Sequence, residues 1–182
     1  FIGYAASAQS EIASLKKDEH NLSKQERTIK REKRGDKKEL HKVKEGEVSN
    51  FSMEAFQRDF GTVPGTTWRR EGNLDVATFT KDGVTQSAYY DFDAQLVGTT
   101  TRKSFSDIPA KAQDLINQKY PGYTEAGVVL FDDNEDNQTD MVLYGQSFDD
   151  ADNYFVELTK GDKRIVLKST MAGEVSYFTE IK

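Results

Sequence analysis

The densest set of potential ligands in this 182-residue chain lies between residues 132 and 152. Asp132, Asp133, Glu135, Asp136, Asp140, Asp149, Asp150 and Asp152 occur there without one Lys or Arg. Hard carboxylate oxygens at this density suit Ca²⁺. Read as the start of an EF-hand-like loop, Asp132-x-Asn134-x-Asp136 supplies three oxygen ligands. Asn137 then stands where that loop needs glycine, and Leu143 where it needs the closing glutamate. The segment therefore reads first as a solvated acidic hairpin in which MVLYG pairs with a neighbour. Weak Ca²⁺ binding through Asp132, Asn134 and Asp136 is one alternative, and recognition of a basic partner is another.

Catalytic chemistry finds little to work with. The chain has no cysteine, which excludes disulfides, thiolate nucleophiles and cysteine-ligated zinc. Its two histidines, His20 and His41, both precede the aromatic-rich part of the sequence, so a serine nucleophile there lacks its usual base. No G-x-S-x-G, glycine-rich phosphate loop or H-E-x-x-H occurs. Paired carboxylates in the acidic segment are the one acid–base option left. The expectation is a non-enzyme without a cofactor.

Charge and aromatic content divide the chain. Residues 11–47 hold 12 basic and 9 acidic residues, net +3, and no aromatic; residues 48–182 hold 13 basic and 22 acidic residues, net −9. In the first part Leu15, Leu22, Ile29 and Val43 keep a seven-residue spacing. Asp36 breaks it, charged residues fill the alternate seam positions, and Gly35 is expected to interrupt the helix. Half a seam does not sustain a coiled coil, so residues 9–49 read as a charged arm, partly helical or disordered. Its basic clusters lack interleaved aromatics, which argues against nucleic acid. Residues 1–8 read as the tail of a secretory signal, with Ala6-Ser7-Ala8 as the cleavage site and Gln9 as the first mature residue. No run reaches the roughly 18 to 20 apolar residues of a membrane span.

From residue 50 the periodicity sharpens. SNFSMEAFQRDFG predicts a helix with Phe56 and Phe60 on one face and Gly61 at its end. WRR, VATFT, QSAYYDF and LVGTT predict short strands joined by tight turns. A second helix is expected in SFSDIPAKAQDLINQKYPG, capped by Ser106 or Asp107, with Ala112, Leu115, Ile116 and Tyr120 inward. AGVVLF, MVLYG, YFVELT, RIVLK and VSYF follow as strands.

The two halves correspond. Helix pairs with helix at an offset of 60 (Phe56 with Ile116, Phe60 with Tyr120), and VATFTKDG pairs with FVELTKGD at an offset of 79. The excess of 19 is the acidic insertion, residues 132–152. This predicts an α+β fold built as a tandem repeat, residues 50–104 and 105–182. Two helices would lie on one face of a continuous antiparallel sheet, related by a pseudo-twofold, with the other face at least partly open.

The succession ATFTKDG, AYYDFDAQLVGTT, Phe105-Ser106-Asp107-Ile108-Pro109, INQKYPGY and YFVELTKGDKRIVLKSTMAGEV resembles the PepSY-like, β-lactamase-inhibitor-protein-like (BLIP-like) family of secreted Bacteroidetes-type proteins over about residues 50–182. The resemblance implies the tandem helix-plus-sheet fold and export to the periplasm or beyond. It implies no particular activity, and no contact loop of the inhibitors matches here.

The functional expectation is an exported, non-catalytic, inhibitor-like module that binds a protein or peptide. The alternatives are a structural subunit docked into an envelope assembly through its arm, or a weak Ca²⁺-binding domain. Candidate contact residues are Trp68, Tyr89, Tyr90, Tyr144, Tyr154 and Tyr177, because aromatics on an exposed sheet face make binding hot spots. Tyr89 and Tyr90, adjacent in one strand, must point to opposite faces.

Overall fold

The computed structural model describes residues 16–17, 21–25, 27–35, 37, 47–149 and 151–181. The signal-like tail, His20 and His41 lie outside them. The chain forms two compact units, Phe1–Glu45 and Gly46–Lys182.

The described residues of the first unit are helical and are labelled α1 (residues 21–25 and 27–35). Gly35 does not interrupt it, since it is itself helical. A helical glycine costs only about 1 kcal/mol relative to alanine, too little to break a Lys/Arg/Glu-rich helix by itself. Leu22 and Ile29, one heptad apart, are 60% and 50% exposed.

In the second unit α2 (Asn50–Phe60) starts at Ser49, whose hydroxyl accepts from the Phe51 amide at 3.2 Å, and ends at Gly61 with φ 77°. Strands β1 (Thr67–Glu71), β2 (Leu74–Lys81), β3 (Val84–Tyr90) and β4 (Leu96–Lys103) follow. A 3₁₀ turn, Phe105–Asp107, leads into α3 (Ala110–Lys119). Asp107 caps that turn rather than α3: its carboxylate accepts from the Ser104 amide at 2.7 Å, while Pro109 occupies the α3 cap position. Then come β5 (Thr124–Asp133), β6 (Met141–Leu143), β7 (Gln146–Phe148), β8 (Asn153–Lys160), β9 (Lys163–Thr170) and β10 (Val175–Ile181).

Eight strands form one sheet in the order β1-β2-β3-β4-β5-β8-β9-β10, antiparallel at every junction. This order corrects the pseudo-twofold. A twofold would reverse the chain order of one half, whereas β1 to β4 and then β5 to β10 succeed one another in the same sense.

Both helices do lie on one face. Ala55 and Phe56 of α2 pack on Ala77, Phe79, Ala88 and Tyr90, and Ala112 and Ile116 of α3 pack on Val128, Val156, Leu158, Ile165 and Leu167. These strand residues alternate with Val76, Tyr89, Phe131, Phe155 and Val166, which form a third cluster on the opposite face. The β6–β7 hairpin covers that cluster, inserting Met141 and Phe148. The middle of the expected open face is thus closed by the acidic insertion itself. A row of aromatic side chains on the face needs cover, and Phe148 supplies it, 5.1 Å from Phe131 and 4.9 Å from Phe155.

Two turns have the same wiring. In the β3–β4 turn the Asp91 amide donates to the Gln95 carbonyl, the Ala94 amide to the Asp91 carbonyl, and the Gln95 amide to the Asp91 carboxylate. In the β9–β10 turn the Thr170, Gly173 and Glu174 amides make the same three bonds to Glu174, Thr170 and the Thr170 hydroxyl. Ala94 and Gly173 both take positive φ, 57° and 79°.

Candidate binding surface

The two ends of the sheet differ in charge. The end formed by the β3–β4 turn, residues 134–152 and the β9–β10 turn carries Asp93, Glu135, Asp136, Asp140, Asp149, Asp152 and Glu174, with no Lys or Arg in those segments. Lys81, Lys103, Lys160 and Lys163 stand at the opposite end, together with Asp82 and Asp162.

At the acidic end the insertion is fastened by a buried carboxylate. Asp91 is 5% exposed. One of its oxygens accepts from the Asp93 and Gln95 amides at 2.8 and 3.0 Å, and the other from Asn137 Nδ2 and the Thr139 hydroxyl, both at 3.2 Å. Asn137 Nδ2 also donates to the Leu96 carbonyl at 3.0 Å, and its own carbonyl accepts from the Thr139 amide at 3.0 Å. Asn137, the residue that spoils an EF-hand, is therefore the pivot that docks the insertion onto the first half of the sheet.

The metal candidates are engaged differently from ligands. Asn134 donates its amide to the Leu96 carbonyl at 2.7 Å and accepts from the Asp136 amide at 3.4 Å, so its side chain closes the loop. Asp132 is exposed on β5, where desolvation first, and then the nearby Asp152 charge, raise its pKa. Among the described residues no group of three His, Cys, Asp or Glu side chains is arranged to hold a metal ion. A cleft of about 600 Å³ does open at this end, lined by Asp133, Glu135, Asp152 and Met171 among others.

The hairpin's far tip is held as firmly. Tyr144 and Gly145 turn the chain with φ 53° and 75°, the two left-handed residues of a type I′ turn, in which Tyr is an unfavourable choice beside Asn or Gly. The Tyr144 hydroxyl donates to Glu157 at 2.8 Å, its ring lies 6.2 Å from Phe155, and Glu157 also accepts from Arg164 at 3.1 Å. Burial, reinforced by the bond to Glu157, pushes the Tyr144 phenol well above its ordinary range.

Beside the hairpin the same face stays open and polar. Register places Thr67 beside Thr78, Thr78 beside Ser87, Ser87 beside Thr100, Arg69 beside Val76, and Thr80 beside Thr85. Arg69 donates to Glu71 at 2.9 Å and to the Thr78 hydroxyl at 3.2 Å, and Thr78 is hydrogen-bonded to Ser87 at 3.0 Å. Thr67, Arg69, Thr80, Thr85 and Arg102 are exposed. The result is a flat field of hydroxyls with two guanidinium groups, walled by the hairpin. It can hydrogen-bond an extended chain or a carboxylate, and residues 48–182 contain no histidine or cysteine.

The aromatic candidates mostly serve the interior. Tyr90 is fully buried under α2, where its hydroxyl donates to Asp59 at 2.9 Å. Tyr89 points to the other face as expected, but at 5% exposure its hydroxyl meets Thr100 at 3.1 Å under cover. Tyr154 is 8% exposed in the α3 cluster, and Trp68 is half-buried, its ring 5.6 Å from Phe56. Tyr144 presents only part of its ring beside the hairpin turn. Tyr177, on the edge strand β10, is 56% exposed. As a contact surface, Tyr89, Tyr90 and Tyr154 are corrected: they are large apolar rings at inward register positions, and burying them outweighs exposing them.

The residues missed by pattern are Asp75 and Asp91. Asp75, 1% exposed, accepts from the Ser49 amide at 3.0 Å, the Ser52 hydroxyl at 2.8 Å and Arg70 at 2.9 Å, locking α2 to the sheet. A lone Asp opening an otherwise apolar strand, LDVATF, was the available signal for it.

The sequence matches no protein-family profile and no curated protein. Solved structures share the fold. A DUF2874 family protein from Bacteroides uniformis aligns with TM-score 0.59 and 16% identity over 73% of this chain and 90% of its own. A BLIP-like protein from Bacteroides fragilis aligns with TM-score 0.55 and 17% identity over 74% and 87%. A Bacteroides eggerthii protein provisionally described as periplasmic aligns with TM-score 0.58 and 17% identity over 74% and 91%. Likeness at these identities establishes an α+β, BLIP-like fold.

Proposed function

We propose that residues 46–182 form a non-catalytic, exported module, inhibitor-like in mode, that binds a protein or peptide on the open half of the hairpin face. The observation that carries this reading is the exposed field of Thr67, Arg69, Thr80, Thr85 and Arg102 beside a hairpin fixed at both ends, through Asp91 and through Tyr144. A surface fixed in this way needs little further ordering of side chains and loops on binding, which lowers one of the costs of association. The BLIP-like character of one fold relative and the periplasmic description of another support a binding role outside the cytoplasm. Export and the PepSY-like relationship belong to the same reading.

In this proposal the fold is a tandem duplication. Under the offset of 60 Trp68 corresponds to Val128, and under the offset of 79 Ala77 corresponds to Val156; Trp68 pairs with Ala77, and Val128 with Val156. The shared wiring of the turns at Asp91 and Thr170 falls on the same offset of 79.

A second reading makes the chain a scaffold subunit tethered by its arm, favoured by the exposure of Leu22 and Ile29 one heptad apart. Affinity capture from the envelope fraction, with the full chain and with a chain lacking residues 9–47, separates the two. Retention of one partner by both forms supports the module. Loss of that partner with the arm supports the scaffold, and turnover of a small substrate by either purified form overturns both.

A further inference from the structure

The outer strands of the sheet, β1 and β10, are the counterparts of the two strands that meet at its centre. Under the offset of 79, β4 (Leu96–Lys103) falls on residues 175–182, which contain β10. Under the offset of 60, β5 (Thr124–Asp133) falls on residues 64–73, which contain β1. The pairing inside the molecule, Thr100 with Phe131, Thr101 with Leu130 and Arg102 with Val129, thus has an unused equivalent at the two edges.

We propose that a second copy of this chain extends the sheet head to tail, β10 of one copy pairing antiparallel with β1 of the next. The register sets Thr179 against Glu71, Glu180 against Arg70 and Ile181 against Arg69. This rests on the duplication reading above and is independent of the partner-binding face. The bulge in β10 lies between Tyr177 and Thr179, so the correspondence is kept from Thr179 onward. There β10 pairs with Val166, Ile165 and Arg164, the offset images of Ser87, Gln86 and Thr85 in β3.

Three observations favour a second copy as occupant. Among the described residues no strand pairs with the outer side of β1 or β10, and such edges are templates for strand addition. Charge is compatible at this register, because β1 carries Arg69, paired with Glu71, and Arg70, paired with Asp75, for a strand net of +1, and β10 carries Glu180. Glu180 is half exposed and, among the described residues, is held by a 3.7 Å contact to Lys163, so it can turn toward a new cation at little cost. The internal β4–β5 junction also shows that a helix-bearing half of this shape seats beside another without a clash between α2 and α3. The contact is heterologous, so it builds open chains rather than a closed dimer, and three residue pairs make it weak and concentration-dependent.

The absence of native cysteine makes the test direct. Full-length Thr179→Cys and Glu71→Cys chains, each at an edge-strand position, are mixed and treated with a short bis-maleimide across a concentration series. Covalent dimers between the two variants, and a ladder from the double variant, are expected. In sedimentation of the otherwise unaltered chain, Glu180→Lys is expected to weaken association roughly two- to tenfold, because it sets a cation against Arg70. A species monomeric at every concentration, or each variant linking to itself as readily as to the other, overturns the proposal. The duplication reading would survive either result, since it rests on registers within one molecule, and so would the module reading, which uses another surface.

Discussion

Replacing Asp91 with alanine removes the carboxylate that holds the acidic insertion against the β3–β4 turn, and the size of the loss follows from its four bonds. Hydrogen bonds to a charged group contribute about 1.5 to 3 kcal/mol each. They do not add here. The Asp93 and Gln95 amides lie at a turn where water can reach them, and Asn137 keeps its 3.0 Å bond to the Leu96 carbonyl. The expected net loss is about 3 kcal/mol, roughly a 10 °C fall in Tm for a unit of this size. Asp91→Asn preserves an oxygen for the two amides but turns donors toward Asn137 and Thr139. Only the Thr139 hydroxyl can reverse its role, so the expected loss is about half as large. Urea unfolding followed by Trp68 fluorescence reads both values, because Trp68 packs in the α2 cluster, its ring 6.2 Å from Tyr90, and so reports on loss of the core next to the turn. Hydrogen exchange should show the β6–β7 amides opening first in Asp91→Ala. Equal stability of Asp91→Ala and the unaltered chain, or equal damage from the two substitutions, would refute the carboxylate as the fastening.

Further expectations concern the core and its titration. Phe148→Ala, which empties a site among Phe131, Phe155 and Phe178, should cost about 3 to 5 kcal/mol in the same unfolding assay. Gly98→Ala should cost about 1 to 3 kcal/mol or more, because a Cβ there would stand 2.6 Å from both the Asp132 carbonyl and the Phe131 ring. Burial raises the phenols of Tyr89, Tyr90 and Tyr144 above their ordinary value of 10.0. The unfolded chain therefore loses these protons first as pH rises. Stability from this source is complete below about pH 10 and declines above it, which spectroscopic titration of tyrosinate alongside unfolding will show. Adding a chelator should leave Tm unchanged, because the Asn134 side-chain oxygen already accepts from the Asp136 amide at 3.4 Å while its NH2 donates to the Leu96 carbonyl at 2.7 Å; a large fall would show a bound cation.

Much of the fold was legible because its signals are local. Ser49 and Gly61 bound α2, β-branched and aromatic residues between turn signals mark β2 and β3, and two offsets carry the strand succession. What could not be read was the fate of the insertion. Its composition describes a solvated acidic hairpin, and the run Met141 to Tyr144 with Phe148, set among aspartates, was the hint that one side is apolar. Because that side covers Phe131 and Phe155, the aromatics expected on an open surface became core, and the open surface proved to be a hydroxyl field. Asp91 and Asn137 are 46 residues apart in sequence, so their bond depends on tertiary contact that no short pattern records.

The central claim is tested most directly by asking which surface touches the partner. A photo-crosslinking residue placed in the full-length chain at Thr80 or Thr85, on the open half of the hairpin face, and separately at Glu54 or Asn117, on the solvent side of the helices, samples the two faces. Exposed to the native envelope fraction, the Thr80 and Thr85 chains should yield one shared adduct, lost when Arg102→Glu is added, and the Glu54 and Asn117 chains should yield none. Adducts confined to the helix side, or an adduct from Thr85 indifferent to Arg102, would contradict the account.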